Sequence, residues 1–429
     1  MKVHLRALGC RLNYAEMDAL ARALAANGHS VVDTPEDADQ VVLNTCAVTQ
    51  DAVHTSRKLT RQLHKAAPSA AITLTGCYAQ LAPDAAAALS GVVSVAGNGE
   101  KDALARRWES VEVYDLEPVQ RAARIARTRA FIKVQDGCDN ACTFCVTTVA
   151  RGAGRSRDAD EVVDEIRLLS ALGCQEAVLT GVHLGSYGVD TGRGHELAAL
   201  IRRILDETEV PRLRLSSLEP WDLSSEFFDL WQDERLCPHL HLPLQSGCDA
   251  TLRRMARRTS QAAFRDLLLA ARDRIVDPAI TTDVIVGFPG ETEAEFEESL
   301  AFIAAQGFAG MHVFRYSPRS GTPAARMRGV VDEAAKKVRS DRMHALATEG
   351  QAAYVQRWLR CELPVLWEQV AGATEDGFLN VGYTPNYLRA TCVHREALSH
   401  RVTPARMDSY DERTGQVYVT PVTADGQIA

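Results

Sequence analysis

Residues Gln135–Gly152 read QDGCDNACTFCVTTVARG, with Cys138, Cys142 and Cys145 separated by three and then two residues. The run follows an apolar, strand-like segment, Ala130–Gln135. Three thiolates on one short loop can hold three irons of a cubane cluster, because such clusters are ligated by cysteine thiolates. The fourth iron then has no protein ligand and is open to a substrate or cofactor. Zinc is the competing reading. A structural zinc site normally closes with four ligands, however, and no fourth Cys or His lies close in sequence. A loop at the carboxyl end of a strand is also where barrels of parallel strands place their chemistry.

Outward from this loop, the chain repeats strand and helix. Apolar strand-like segments at Ala130–Gln135, Glu176–Val182, Arg212–Leu218, His239–Gln245, Ala279–Phe288 and Gly310–Ser317 alternate with helical spacing. Six such units predict a partial (β/α) barrel, smaller than the eight-unit form, closed by helices after about Val331. Upstream, strand-like Val3–Cys10, Gln40–Cys46, Ala71–Cys77 and Val92–Ala96 alternate with helical Ala15–Asn27, a helix from about Gln50 to Ala66 and an alanine-rich helix. That pattern predicts an open parallel α/β sheet. Past about Glu362 the texture turns β-rich, with Leu363–Gln369, Phe378–Tyr383, Leu388–Val393 and Gln416–Pro421 separated by Gly and Pro turns. A small β-barrel or sandwich is expected there. The expected domains are 1–115, an arginine-rich linker over 116–129, 130–355 and 360–425.

Three further cysteines, Cys10, Cys46 and Cys77, are each expected to end a strand of the first sheet. Carboxyl ends of parallel strands share one edge, so residues remote in sequence can converge there and hold a second cluster with an open iron. A buried cysteine at a strand end is the ordinary reading of any one of them; three repeats of the pattern favour ligation. Gly9 and Gly76 beside two of them would let a bulky group approach the backbone. The other five, Cys174, Cys237, Cys248, Cys361 and Cys392, show no ligand spacing and are expected to be buried or incidental.

Composition agrees with a soluble globular protein: 429 residues, 46% hydrophobic, 24% charged. No apolar run is long enough for a membrane span, no signal peptide opens the chain, and a cytoplasmic location is the default. Eleven cysteines, an odd number, do not suit a disulfide framework there. With a net charge of −8 the whole chain does not attract polyanions, so any nucleic-acid binding rests on local patches. Candidates are Arg253, Arg254, Arg257 and Arg258; Arg315, Arg319, Arg326 and Arg328; and Tyr383, Tyr387 and Arg389 in the tail. Each set has a plain alternative, a solvated helix face for the arginines and barrel core for the tail residues.

The C-x3-C-x2-C spacing resembles the signature of the radical S-adenosylmethionine (SAM) superfamily. That resemblance implies an open iron that chelates the amino and carboxylate groups of SAM, and one-electron cleavage to methionine and a 5′-deoxyadenosyl radical. It places Phe144, before the third cysteine, near the adenine, where ordinary core packing is the alternative. Weaker candidates for the SAM pocket are Thr180 and Gly181 ending the second strand, Glu219 after the third, Gln245 after the fourth and Gly287 after the fifth. An acidic residue that many relatives carry at the second position is missing here.

LGC (8–10), NTC (44–46) and TGC (75–77) ahead of C-x3-C-x2-C, with a β-rich tail, resemble the methylthiotransferases over essentially the whole chain. NTCAVT, GCYAQ, LTGVHLGSYG, HLPLQSG and TTDVIVGFPGET are most similar to the MtaB-type branch, which modifies N6-threonylcarbamoyladenosine in tRNA beside the anticodon. The resemblance implies a TRAM-like RNA-binding tail, although the tail departs in places from that pattern. It also implies two [4Fe-4S] clusters, an auxiliary one on Cys10, Cys46 and Cys77 and a SAM-binding one on Cys138, Cys142 and Cys145. SAM, a tRNA substrate and a flavodoxin- or ferredoxin-like electron donor follow as expected cofactor and partners. Isopentenyladenosine in tRNA or a ribosomal-protein aspartate are the alternative substrates. Outside enzymes, an iron–sulfur electron carrier or an RNA-binding scaffold is the alternative.

Overall fold

The computed structural model of the chain describes residues 1–108 and 128–422. Arg121, Arg124 and Arg127 of the expected linker lie outside the described residues. Those described form two compact units, one of 1–108, 128–158, 180–183 and 317–325, the other of 159–179, 184–316 and 326–422.

In the first unit, strands β1 (Lys2–Ala7), β2 (Ser30–Val32), β3 (Gln40–Thr45), β4 (Ala71–Gly76) and β5 (Val92–Val95) form one sheet in the order β2-β1-β3-β4-β5. Every pairing is parallel. Helix α1 (Arg11–Ala26) covers one face, packing Met17, Leu20 and Leu24 against Val3 and Val42. Helix α2 (Gln50–Ala66) covers the other, with Leu63 against Val41, Leu43, Ile72 and Leu74. Burial on both faces explains the unbroken apolar runs of β3 and β4, since alternation is needed only where one face meets water. Helix α2 starts where expected because Thr49 caps it, its hydroxyl accepting from the Ala52 N–H at 3.1 Å. The edge strand β2 is too short and too exposed to announce itself in the sequence.

Two short helices follow β4, α3 (Cys77–Leu81) and α4 (Pro83–Ala87). Strand β6 (Arg129–Lys133) lies in the same unit, with Phe131 against Tyr14 of α1 at 6.4 Å between ring centroids. Strand β7 (Gln135–Asp136) pairs antiparallel with β8 (Arg155–Ser156), and the cysteine loop between them ends in α5 (Thr147–Arg151).

The second unit holds α6 (Ala159–Ala171), then β9 (Glu176–Thr180), β10 (Arg212–Leu215), β11 (His239–His241), β12 (Ala279–Val286) and β13 (Gly310–Arg315). β9 runs parallel to β10, and β11, β12 and β13 are parallel neighbours. A parallel bridge from Ser217 to His241 joins the two groups. Helices stand between successive strands, so this is an α/β fold with a partial parallel sheet at its core. Each strand stops earlier than its apolar run suggests, because the run continues into the loop that leaves the sheet.

The tail strands β14 (Glu362–Thr374), β15 (Gly377–Tyr383), β16 (Arg389–His394), β17 (Val402–Asp411) and β18 (Gln416–Pro421) pair in the order β14-β15-β16-β18-β17. β14 also pairs with β17, so the sheet closes on itself. β17 escapes the sequence reading because polar and charged residues interrupt its apolar pattern. The core is Trp367, Val365, Ala390, Met407 and Val417. Burying each of the valine and methionine side chains among them contributes about 1.5–3 kcal/mol. The Trp367 indole N–H donates to the Thr403 hydroxyl at 2.8 Å.

Candidate functional site

Cys10, Cys46 and Cys77 come from loops at the carboxyl ends of β1, β3 and β4. The expectation that each ends its strand is corrected by a few residues. β1 stops at Ala7, Cys46 follows β3, and Cys77 opens α3. The cause is glycine. Gly9 (φ +90°) and Gly76 (φ +92°) turn the chain out of the sheet, a conformation open chiefly to residues without a Cβ. A Cβ on Gly9 would stand 2.5 Å from the Cys46 sulfur, and one on Gly76 would stand 2.3 Å from the Thr45 carbonyl oxygen. The loops therefore crowd together where only glycine fits. Asn13 ties them, its amide donating to Leu8 O at 2.6 Å and Thr45 O at 3.2 Å.

Cys46 and Cys77 are buried and Cys10 is exposed. Protein nevertheless surrounds Cys10 on most sides, which pushes its thiol up while the Arg151 guanidinium pulls the other way. A thiol both deep and reachable lines an opening rather than an outer surface. Burial also raises the Cys46 thiol, with Cys10 and Cys77 pushing in the same direction, so the three groups lie within electrostatic reach of one another.

Beside them sits a buried charge network. The Glu16 carboxylate accepts from Lys101 Nζ at 2.5 Å and from Arg151 Nη1 at 2.8 Å. Arg151 also bonds Asp136 at 2.9 Å and Asn13 Oδ1 at 2.7 Å. Burial alone would raise Glu16, but Lys101 and Arg151 overcome it and hold the carboxyl well below its usual range. Composition gave no sign of this network. Its members are ordinary charged residues on separate elements.

Cys138, Cys142 and Cys145 occupy the loop between β7 and α5, all partly accessible. The Asn140 N–H points at the Cys138 sulfur and the Thr147 N–H at the Cys145 sulfur, each at 3.4 Å. Cys145 N–H closes a turn on Cys142 O at 3.1 Å. Phe144 is partly buried in this loop. Thr180 accepts from the Val134 N–H at 2.9 Å, and a Cβ on Gly181 would meet Gln135 at 3.0 Å. Gln135 is a residue the sequence reading missed. Its amide donates to Asp136 O and Gly137 O and its oxygen accepts from the His183 N–H, so one side chain braces the cysteine loop against the end of β9's loop.

In the second unit, Glu219 pairs with Arg257 at 2.8 Å, and that guanidinium lies 4.4 Å from the Trp221 ring. Gln245 (φ +78°) is locked by its backbone, donating to Asp283 O and accepting from Ile285 N, each at 2.8 Å. Gly287 (φ +72°) leaves room for Lys336, whose Cγ would stand 2.4 Å from a Cβ there, and its N–H is committed to Glu291 at 2.7 Å. His241, Asp283 and His312 lie on one face of β11, β12 and β13, with ligand atoms within 4.8 Å of one another. Among the described residues this is the grouping tight enough for a single ion. Neither cysteine triplet gathers its three sulfurs within that distance.

The arginine candidates divide. Arg254 is held by Glu295 at 2.6 and 3.0 Å and Arg257 by Glu219, whereas Arg253, Arg258, Arg315, Arg326 and Arg328 are exposed. Tyr387 packs on His239 and under Arg214, each at 4.6 Å, and stacks on Tyr383 at 4.9 Å. These tyrosines serve packing. Cys174, Cys237, Cys248 and Cys392 are buried and Cys361 is exposed. No described helix is long and apolar enough to cross a membrane.

Residues 132–303 match the radical SAM superfamily, and residues 2–97 match the uncharacterized protein family UPF0004. The fold resembles that of TsrM, a radical SAM methyltransferase from Kitasatospora setae, with a TM-score of 0.56 at 18% identity over 76% of this chain and 77% of that one. These matches define the class, an α/β protein of the radical SAM superfamily. The chain is 35% identical to the threonylcarbamoyladenosine tRNA methylthiotransferase MtaB of Bacillus subtilis over 94% of its length and 93% of the relative's. To the protein of that name from Thermotoga maritima it is 37% identical, over 85% and 86%. To the tRNA-2-methylthio-N(6)-dimethylallyladenosine synthase of Acetivibrio thermocellus it is 33% identical, over 79% and 75%. The chain belongs to the radical SAM methylthiotransferase family, among its MtaB-type members.

Proposed function

We propose that this chain replaces the C2 hydrogen of N6-threonylcarbamoyladenosine, next to the anticodon of tRNA, with a methylthio group. The observation that carries the reading is the pair of cysteine triplets in one unit, each on loops braced by buried polar side chains. The donor chemistry fits two [4Fe-4S] clusters. Each triplet offers three thiols, the glycines at 9 and 76 open the backbone beside one, and backbone N–H groups point at two sulfurs of the other. When bound, the cluster on Cys138, Cys142 and Cys145 supplies the electron that cleaves SAM, and the one on Cys10, Cys46 and Cys77 carries sulfur.

The chain's own residues orient and shield. Asn140 and Thr147 stabilise thiolates through N–H bonds, and Gln135 fixes the loop to Thr180–His183. Phe144, Thr180, Gly181, Glu219, Gln245 and Gly287 are the proposed SAM contacts. Residues 1–115, 130–355 and 360–425 serve as the sulfur-carrying, SAM-binding and TRAM-like domains, the exposed arginines meet tRNA phosphates, and a flavodoxin- or ferredoxin-like protein delivers electrons.

Mass spectrometry of tRNA nucleosides from cells lacking the gene tests the reading. Loss of the 2-methylthio form of threonylcarbamoyladenosine, restored by the intact gene, is expected. Loss of the methylthiolated dimethylallyl nucleoside instead, or no loss at all, overturns it.

A further inference from the structure

One buried cation in the first unit, Arg319, has no carboxylate partner among the described residues. Arg319 lies in the segment 317–325 and is 8% exposed. One Nη donates to the carbonyl of Ala47, the residue after Cys46. Its Nε and other Nη have no hydrogen-bond partner among the described residues. Leaving such donors unmade inside a protein costs more than a typical hydrogen bond contributes, and a buried charge without a partner costs more again. A group from outside the chain that accepts these two donors would remove that cost.

The segment itself is firmly set. The Thr322 hydroxyl donates to Arg319 O at 2.7 Å, the Thr322 N–H reaches the same oxygen at 3.1 Å, and Gln50 reaches Pro318 O at 3.5 Å. At its far end, Ala324 N–H donates to the carbonyl of Thr143, between Cys142 and Cys145, at 2.9 Å. One strap thus touches both cysteine loops, and the unpaired guanidinium is presented at the Cys46 end. Among the described residues, the bonds of the Glu16 and Asp136 network run to Arg151 and Lys101 and not to Arg319.

We propose that Arg319 is the anion-binding residue of the Cys10–Cys46–Cys77 centre, where its Nε and Nη1 hold the small sulfur anion, sulfide or methanethiolate, that completes the iron no cysteine reaches. The inference rests on the assignment of a cluster to that triplet. Charge-assisted N–H bonds to a soft anion are the interaction those donors lack. The neighbouring Ala47 carbonyl keeps the fork aimed, so that the anion rather than the protein backbone takes the remaining donors.

The test uses the full chain carrying Cys138→Ala, Cys142→Ala and Cys145→Ala, prepared without oxygen, so that one cluster remains. Methanethiolate is titrated in and followed by electron paramagnetic resonance of the reduced cluster, with iron counted chemically. Arg319→Met is expected to keep its iron and bind methanethiolate about tenfold or more weakly, whereas Arg319→Lys, which keeps the charge and loses the fork, binds more tightly than the Met variant and more weakly than the parent. Equal affinity in the Met variant overturns the proposal. If the Met variant loses its iron, Arg319→Lys decides: parental iron with weakened methanethiolate binding supports the role, and loss of iron in both, or parental affinity in the Lys variant, overturns it. Acetate or phosphate competing as well as methanethiolate also overturns it, since the site would then serve a carboxylate or phosphate. A parent chain that holds no iron at all overturns the cluster assignment itself, and the proposal with it.

Discussion

Arg151 and Glu16 form an ion pair at 2.8 Å with side chains only 2% and 1% exposed. One lies downstream of Cys145 and the other downstream of Cys10, so the pair couples the helices that follow the two cysteine loops. A buried pair of this kind contributes little as a pair, yet breaking it from one side leaves a charge stranded.

Glu16→Gln should therefore destabilise the protein by about 3–5 kcal/mol, read as a shift in the denaturant midpoint. Lys101 and Arg151 would both lose their carboxylate. A loss below about 1 kcal/mol, the usual range of an exposed pair, would show that the network is not structurally committed.

The same carboxylate predicts a pH dependence. Its folded-state value is depressed by Lys101 and Arg151, so its contribution is complete above the unfolded value of about 4.3. That contribution declines as pH falls below it toward the folded value. The stability difference between the parent and Glu16→Gln should be constant from pH 7 to about pH 5 and shrink in more acid solution. A difference that instead grows on acidification would reverse the sign and refute the assignment.

Cys142→Ala and Cys46→Ala should fail differently. The first should abolish 5′-deoxyadenosine formation from SAM while retaining about four irons per chain. The second should retain SAM cleavage and make no methylthiolated product. Product from the Cys46 variant would refute the division of labour between the triplets.

Gly76→Ala carries two penalties, a φ of +92° and a Cβ 2.3 Å from the Thr45 carbonyl oxygen. Strain of about 1–3 kcal/mol is expected, together with reduced iron bound at the first triplet. Calorimetry and iron analysis check it, and unchanged values for both would show that the turn relaxes freely.

How much of this was legible beforehand follows from the kind of signal involved. The cysteine spacing and the apolar runs of β3, β4 and β12 are local, and the apolar runs announced the parallel core. Cys10 was misplaced on its strand because a positive-φ glycine, Gly9, ends the regular backbone while apolar residues continue. β2 and β17 went unread, one for its brevity and the other for its polar residues. The roles of Glu16, Lys101, Arg151 and Arg319 could not be read, because each depends on partners remote in sequence and on burial, which composition does not encode. Arg319 appeared only as one arginine in a basic loop.

Across β9 and β10, Arg214 bonds Glu176 at 2.8 Å, and the same guanidinium reaches the carbonyls of Pro385 and Thr384, while Arg212 reaches that of Tyr383. The β-rich tail is in consequence no detachable accessory. Cutting it away would uncover a fully buried charge pair and strip its guanidinium of the carbonyls it donates to. Any exchange of tails between relatives must carry the Tyr383–Tyr387 turn across intact, or the catalytic half inherits the damage.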